Sequence, residues 1–121
     1  MKHIEDSIQS GFFDWIRLAE KHDDRLKLFH HVPNGGRRNL REAVRLKAAG
    51  VRPGVPDAML PVPCGGFNGL AIEFKAPKTG RLTDSQDEFI DRLVKQGWLV
   101  VICTDITAAV DTVKNYLNAE V

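Results

Sequence analysis

Apolar residues along this chain of 121 recur with two different periods, and the switches between them mark out its elements. Over residues 2–22, Ile4, Ile8, Phe12, Trp15 and Ala19 return every three or four positions, with Phe13 and Ile16 widening the stripe. That spacing predicts an amphipathic helix. Leu26-Lys27-Leu28-Phe29-His30-His31-Val32 reads as a short strand, stopped by the turn former Pro33-Asn34-Gly35-Gly36. From Arg37 to Gly50 the helical period resumes. Asn39 and Glu42 have the spacing of a capping box, Leu40, Ala43, Val44 and Ala48 form a stripe predicted to face inward, and Gly50 stands where a helix stops. A third helix is predicted to start at Thr83, with Gln86 at the capping-box position, to carry Phe89, Ile90, Leu93 and Val94 inward, and to end at Gly97. Trp98-Leu99-Val100-Val101-Ile102-Cys103 is an unbroken apolar run, the pattern of a strand buried on both faces. A last helix from about Asp105 to Asn118 places Ile106, Val110, Val113 and Leu117 at helical spacing.

The middle of the chain carries the anomaly. Gly69-Leu70-Ala71-Ile72-Glu73-Phe74-Lys75-Ala76 is strand-like, bounded by glycine before it and by Pro77 and Gly80 after it, yet it ends in a carboxylate and an ammonium. Side chains alternate along a strand, so Glu73 and Lys75 share one face and Phe74 points to the other. Upstream, the rigid bend Pro53-Gly54-Val55-Pro56 leads into Asp57-Ala58-Met59-Leu60-Pro61-Val62, and Pro63-Cys64-Gly65-Gly66-Phe67-Asn68 makes the turn between the two arms. Asp57 and Glu73 are equidistant from Gly65, so a hairpin centred there sets the two acids directly opposite each other. Like charges opposed at Cβ separations of about 4.5–5.5 Å destabilise a sheet unless something positive sits between them. The element order is α-β-α-β-β-α-β-α, which predicts an α/β fold with a mixed central sheet flanked by helices.

Composition narrows the setting. The length suits one domain spanning 1–121, large enough for a hydrophobic core. A net charge of +1 means that any affinity for nucleic acid must come from local clustering. Such clustering occurs in Arg37, Arg38, Arg41, Arg45, Lys47 and Arg52, where Glu42 is the only acid, and again at Lys78 and Arg81. Cys64 and Cys103 supply neither a disulfide framework nor four zinc ligands, so reduced thiols are expected. There is no apolar run near 18 residues and no signal-peptide pattern, so a cytoplasmic protein with no membrane contact is expected.

Two carboxylates on adjacent strands, with a backbone carbonyl between one of them and Lys75, make a hard-oxygen site suited to Mg²⁺ or Mn²⁺. Ions of this kind also take phosphate oxygens, and Lys75 is placed to orient a water or neutralise a phosphate. These residues, Pro56-Asp57 followed after a hairpin by Glu73-Phe74-Lys75, resemble the PD-(D/E)XK nuclease motif. With Gly50-Val51, Gly54-Val55, Leu82-Thr83, Gln86 and Gly97 added, nearly the whole chain is similar to the VRR-NUC branch of that superfamily. The resemblance implies a restriction-endonuclease-like fold and a Mg²⁺- or Mn²⁺-dependent DNA endonuclease. Compact stand-alone forms, often from phages and bacteria, are similar to Holliday-junction resolvases, which implies a homodimer that cuts branched DNA such as four-way junctions, inside a bacterial or phage-infected cell.

The resemblance also implies roles. Asp57, Glu73, the Phe74 carbonyl and Glu5 would hold the metal, Lys75 would be the catalytic lysine, and Gln86 would belong to the catalytic set. Asn34 falls where the family places a polar residue near the cleft. Arg37, Arg38, Arg41, Arg45, Lys78 and Arg81 are the candidates for gripping the DNA backbone.

Each residue also has a plainer reading. Glu5 suits the first turn of a helix through the macrodipole, and Gln86 is a capping partner for Thr83. The arginines form a solvated helix face. His30 and His31, as strand neighbours, face opposite ways, so at most one can reach the site, and ordinary surface or core histidines are expected. At the level of function, a DNA-binding module of this fold without catalysis, or a nuclease subunit of a restriction or repair complex, are the alternatives.

Overall fold

The computed structural model describes residues 2–33 and 39–119. Its elements are α1 (Lys2–Ala19), a 3₁₀ turn (Asp24–Leu28), β1 (His30–His31), α2 (Leu40–Ala48), β2 (Ala58–Leu60), β3 (Leu70–Phe74), α3 (Asp84–Lys95), β4 (Leu99–Cys103) and α4 (Ile106–Asn118). One sheet runs in the order β1-β2-β3-β4, antiparallel at β1–β2 and β2–β3 and parallel at β3–β4. This is the mixed sheet flanked by helices that the sequence predicts. No helix among the described residues is long and apolar enough to cross a membrane.

The core lies between the sheet and the α1/α4 layer. Phe12 is its centre, fully buried, with ring centroids 5.3 Å from Phe29 and 5.5 Å from Phe74. Ile8 and Ile16 extend the same stripe of α1, and Ala109, Val113 and Tyr116 line the facing side of α4. Every residue of β3 is buried. Because side chains alternate, its even-numbered residues meet α1 and α4, while Ala71, Glu73 and Lys75 face the other side, where α3 lies.

The hairpin turns at Gly65 and Gly66, whose φ angles of 59° and 87° define a type I′ turn. Cys64 and Phe67 bridge across it. That bridge is out of step by one residue with the strands below it, where Ala58 pairs with Ile72 and Leu60 with Leu70. The extra residue is absorbed at Pro61–Pro63, which leaves the ladder. The Val62 N–H donates to the Leu60 carbonyl, and the Val62 carbonyl accepts from the Tyr116 hydroxyl at 2.6 Å.

Four predictions are corrected. The strand expected over 26–32 is mostly a 3₁₀ turn, started by the Asp23 carboxylate accepting from Arg25 N–H. Leu26 and Phe29 are buried at its three-residue period, while Leu28 is 52% exposed, and only His30 and His31 pair as strand. The stripe of α2 faces solvent, with Leu40 81% and Val44 60% exposed and no residue of the helix buried. In α3, Phe89, Ile90 and Leu93 are half-buried and Val94 is exposed, because α3 overlies the edge of the sheet near β4. β4 is that edge strand, so Cys103 is buried but Ile102 is 47% exposed. Cys64 and Cys103 are free thiols, both buried.

Phe12 joins α1, the 3₁₀ segment and β3 in one contact set. Phe12→Ala is expected to lower the unfolding free energy by about 3–5 kcal/mol, read as a shift of the urea midpoint at constant m-value.

Candidate active site

The register that pairs Ala58 with Ile72 brings Asp57 opposite Glu73 when continued by one residue, and Pro56 opposite Phe74 when continued by two. Proline has no N–H, so Pro56 cannot donate across to the Phe74 carbonyl. The Phe74 N–H is taken instead by Asp57 Oδ2 at 2.8 Å. The N–H and C=O of a strand residue point to the same side, so the Phe74 carbonyl faces the Asp57 side without a ladder donor opposite it. The Pro-Asp pair thus ends β-pairing at the point where a carboxylate and a carbonyl can turn to another ligand.

Glu73 is 2% exposed. Its Oε1 accepts from Gln86 Nε2 at 3.0 Å and lies 3.9 Å from Lys75 Nζ. Its Oε2, also buried, has no hydrogen-bond partner among the described residues. Burial, and then the neighbouring Asp57 carboxylate, push the Glu73 carboxyl up to about 8, against the opposing pull of Lys75. Lys75 is itself buried, its side chain 11% exposed.

Gln86 is both the capping partner of Thr83 and a hydrogen-bond donor to Glu73. Thr83 caps α3 by accepting from Gln86 N–H, and the Gln86 side chain returns the bond, its Oε1 accepting from Thr83 N–H at 2.9 Å. With the amide oxygen held there, the NH₂ must turn toward Glu73. The helix cap therefore sets the orientation of a group in the site. Gly54 allows the close approach this needs. Its φ is +85°, and a Cβ there would overlap the Ser85 carbonyl at the start of α3.

Asp57, Glu73, Lys75, Gln86 and Glu5 line one cavity of about 680 Å³. Glu5 enters from α1, where its Oε2 accepts from Ala76 N–H at 3.3 Å, so it braces the end of β3. Among the described residues no three His, Cys, Asp or Glu side chains converge to hold an ion, Glu5 included. The close donors are the two opposed carboxylates and the Phe74 carbonyl. Of the basic candidates, Arg41 and Arg45 are exposed on α2, with Arg45 3.8 Å from Glu42. Lys78 is exposed with φ +66°, and Arg81 donates back to the Lys78 and Gly80 carbonyls. None of these four lines the cavity. Asn34, Arg37 and Arg38 lie outside the described residues. Sequence reasoning passed over His31, which lines the cavity and bonds the Asp57 carbonyl. Strand alternation had allowed one of His30 and His31 to reach the site, and His31 is the one that does.

The raised Glu73 carboxyl predicts how stability follows pH. The folded state keeps the proton up to about pH 8, whereas the unfolded chain releases it near the ordinary 4.5. Glu73 therefore stabilises fully below about pH 4.5, and this contribution declines as pH rises to about 8. In EDTA the thermal midpoint is expected to fall across that window, by at most about 1.4 kcal/mol of stability per pH unit. Glu73→Gln should flatten the decline. Independently, Gly54→Ala should displace the first turn of α3 and cost about 1–3 kcal/mol, measured by chemical denaturation.

A family model described as VRR-NUC domain matches residues 2–105. Among solved structures, one titled "VRR_NUC domain protein" superposes with a TM-score of 0.80 at 26% identity, covering 97% of this chain and 90% of that one. No curated protein sequence matches. With a family match over most of its length and a fold that agrees, the chain belongs to the VRR-NUC domain family, and its fold is of the nuclease type.

Proposed function

We propose that this protein is a Mg²⁺- or Mn²⁺-dependent deoxyribonuclease. The observation that carries the reading is the buried Glu73 carboxylate, one oxygen unpartnered, set opposite Asp57 in a cavity that also holds Lys75. This donor set fits a small hard cation. It offers two carboxylates and a carbonyl, few enough ligands to leave positions for water and phosphate. Asp57, Glu73 and the Phe74 carbonyl would hold the ion, which supplies positive charge at the phosphate. Gln86 keeps Glu73 Oε1 occupied, which would leave Oε2 free for the ion. Lys75 donates to a phosphate oxygen and stabilises the charge that builds as water attacks phosphorus in line. The P–O3′ bond breaks, leaving a 5′-phosphate and a 3′-hydroxyl. Glu5 holds the start of α1 against the end of β3 and is a candidate outer contact of the ion.

Branched DNA is the proposed substrate and a homodimer the proposed assembly. Symmetric cutting of a four-way junction calls for two sites related by a two-fold axis. The uncovered Leu40 and Val44 of α2, beside Arg41 and Arg45, support a macromolecular partner at that face.

The test is cleavage of linear, flap, splayed and four-way-junction DNAs with Mg²⁺ or Mn²⁺. Metal-dependent cutting, with the junction preferred, is expected. Asp57→Ala, Glu73→Ala and Lys75→Ala should each reduce the rate by roughly 10²-fold or more while leaving the circular-dichroism spectrum unchanged. Full activity in any of the three would sink the reading, and binding without nicking would make the protein a DNA-binding module.

A further inference from the structure

His31 lies in the same cavity and has no part in the mechanism above. Its Nδ1 is 2.7 Å from the Asp57 carbonyl oxygen. A carbonyl can only accept, so Nδ1 carries a proton, and Nε2 of the neutral ring is an acceptor. The ring bond is not required by the backbone, because Val32 N–H already donates to the same Asp57 carbonyl at 3.0 Å. Nor does packing explain it, since His31 is exposed. Its neighbour His30 provides the contrast. That ring bonds the Leu28 carbonyl two residues back and is not among the residues lining the cavity. What the His31 bond accomplishes is to fix a tautomer and a ring orientation beside Asp57.

We propose that His31 is a water-positioning residue of this site, its Nε2 accepting a hydrogen bond from a water next to the phosphate to be cut. The inference rests on the nuclease reading. The chemistry of the substrate supports it: the oxygens of an internal deoxyribose-phosphate backbone are all acceptors. An acceptor-only nitrogen therefore finds no partner on the backbone and must pair with water. The other side chains divide the remaining work, with Lys75 as the donor for phosphate and Asp57 and Glu73 as the charged acceptors. His31 adds a neutral acceptor on the β1 side of the cavity, which holds a water lone pair toward phosphorus without adding negative charge near a polyanion.

Three variants separate this role from a structural one. In His31→Asn the amide NH₂ can still donate to the Asp57 carbonyl, but no atom reaches the Nε2 position. In His31→Gln the longer side chain carries an amide oxygen to about that position. His31→Ala removes both. The measurements are kcat and KM on the best-cut DNA, DNA affinity in EDTA, and the thermal midpoint. The expected result is that His31→Asn keeps the wild-type midpoint, DNA affinity and KM while kcat falls about 10- to 100-fold, the range for residues that support a site from one shell out. His31→Gln should recover part of the loss. An Asn variant that cuts at the wild-type rate overturns the proposal, as does a loss of midpoint or DNA affinity in step with the rate. A wild-type protein that cuts none of the DNAs overturns the nuclease reading and this inference together. Wild-type cleavage with an unimpaired Asn variant removes this inference alone.

Discussion

The structure depends on one unfavourable contact, the Glu73 carboxyl buried opposite Asp57. Two carboxylates cannot both ionise at this separation in a place nearly closed to water without a large cost, and Glu73 meets that cost by keeping its proton up to about pH 8. The surroundings show how the contact is kept in place. Phe74, the next residue, anchors β3 from below through its ring against Phe12. Asp57 is tied to the strand by the Phe74 N–H, and Glu73 by the Gln86 amide. Each acid thus has one oxygen held by a neutral donor.

Backbone constraints outside the site make these bonds possible. Pro56 removes the N–H that would have closed the ladder, and Gly54 lets the chain pass against the start of α3. The capping box of α3 then turns the Gln86 amide the right way round. Residues that sequence alone assigns to turn and cap chemistry are the same ones that position the acids.

The sequence made the centre legible for a physical reason. A charged pair at the end of an apolar run is rare enough to demand a partner, and counting residues across the turn found Asp57. That count succeeded partly through compensation. The turn is centred between Gly65 and Gly66, and a regular hairpin about that point would have paired Asp57 with Phe74. The extra residue at Pro61–Pro63 restores Asp57 to Glu73. Local periodicity could not reveal this, because the irregularity is held by Tyr116 of a distant helix. The same limit explains the other errors. An amphipathic stripe such as Leu40, Ala43 and Val44 shows that a helix has an apolar side, but not that anything covers it. The run Leu99–Cys103 likewise reads the same in a central strand and an edge strand. Strand alternation allowed only one of His30 and His31 to reach the site but could not choose between them, because the bond that sets His31 apart is to a residue 26 positions away.

Agreement between pattern and burial is closest around β3, where all five residues are buried and Ile8, Phe12 and Ile16 of α1 and Ala109, Val113 and Tyr116 of α4 pack in the same core. Apolar side chains remain uncovered on α2, α3 and β4, and at the helix ends at Ile4 and Leu18 of α1 and Ile106 of α4. A nine-residue helix such as α2, with no buried side chain, gains little from its own hydrogen bonds, since isolated helices shorter than about 12–15 residues are marginal in water. Its stability must come from its cap at Asn39 and from whatever meets its exposed face. The chain thus concentrates its packing behind the two acids, where charge has to be held at fixed separation. The uncovered Leu40 and Val44 of α2 lie outside the cavity that holds Asp57 and Glu73, whereas α3 meets Glu73 through Gln86 at its first turn.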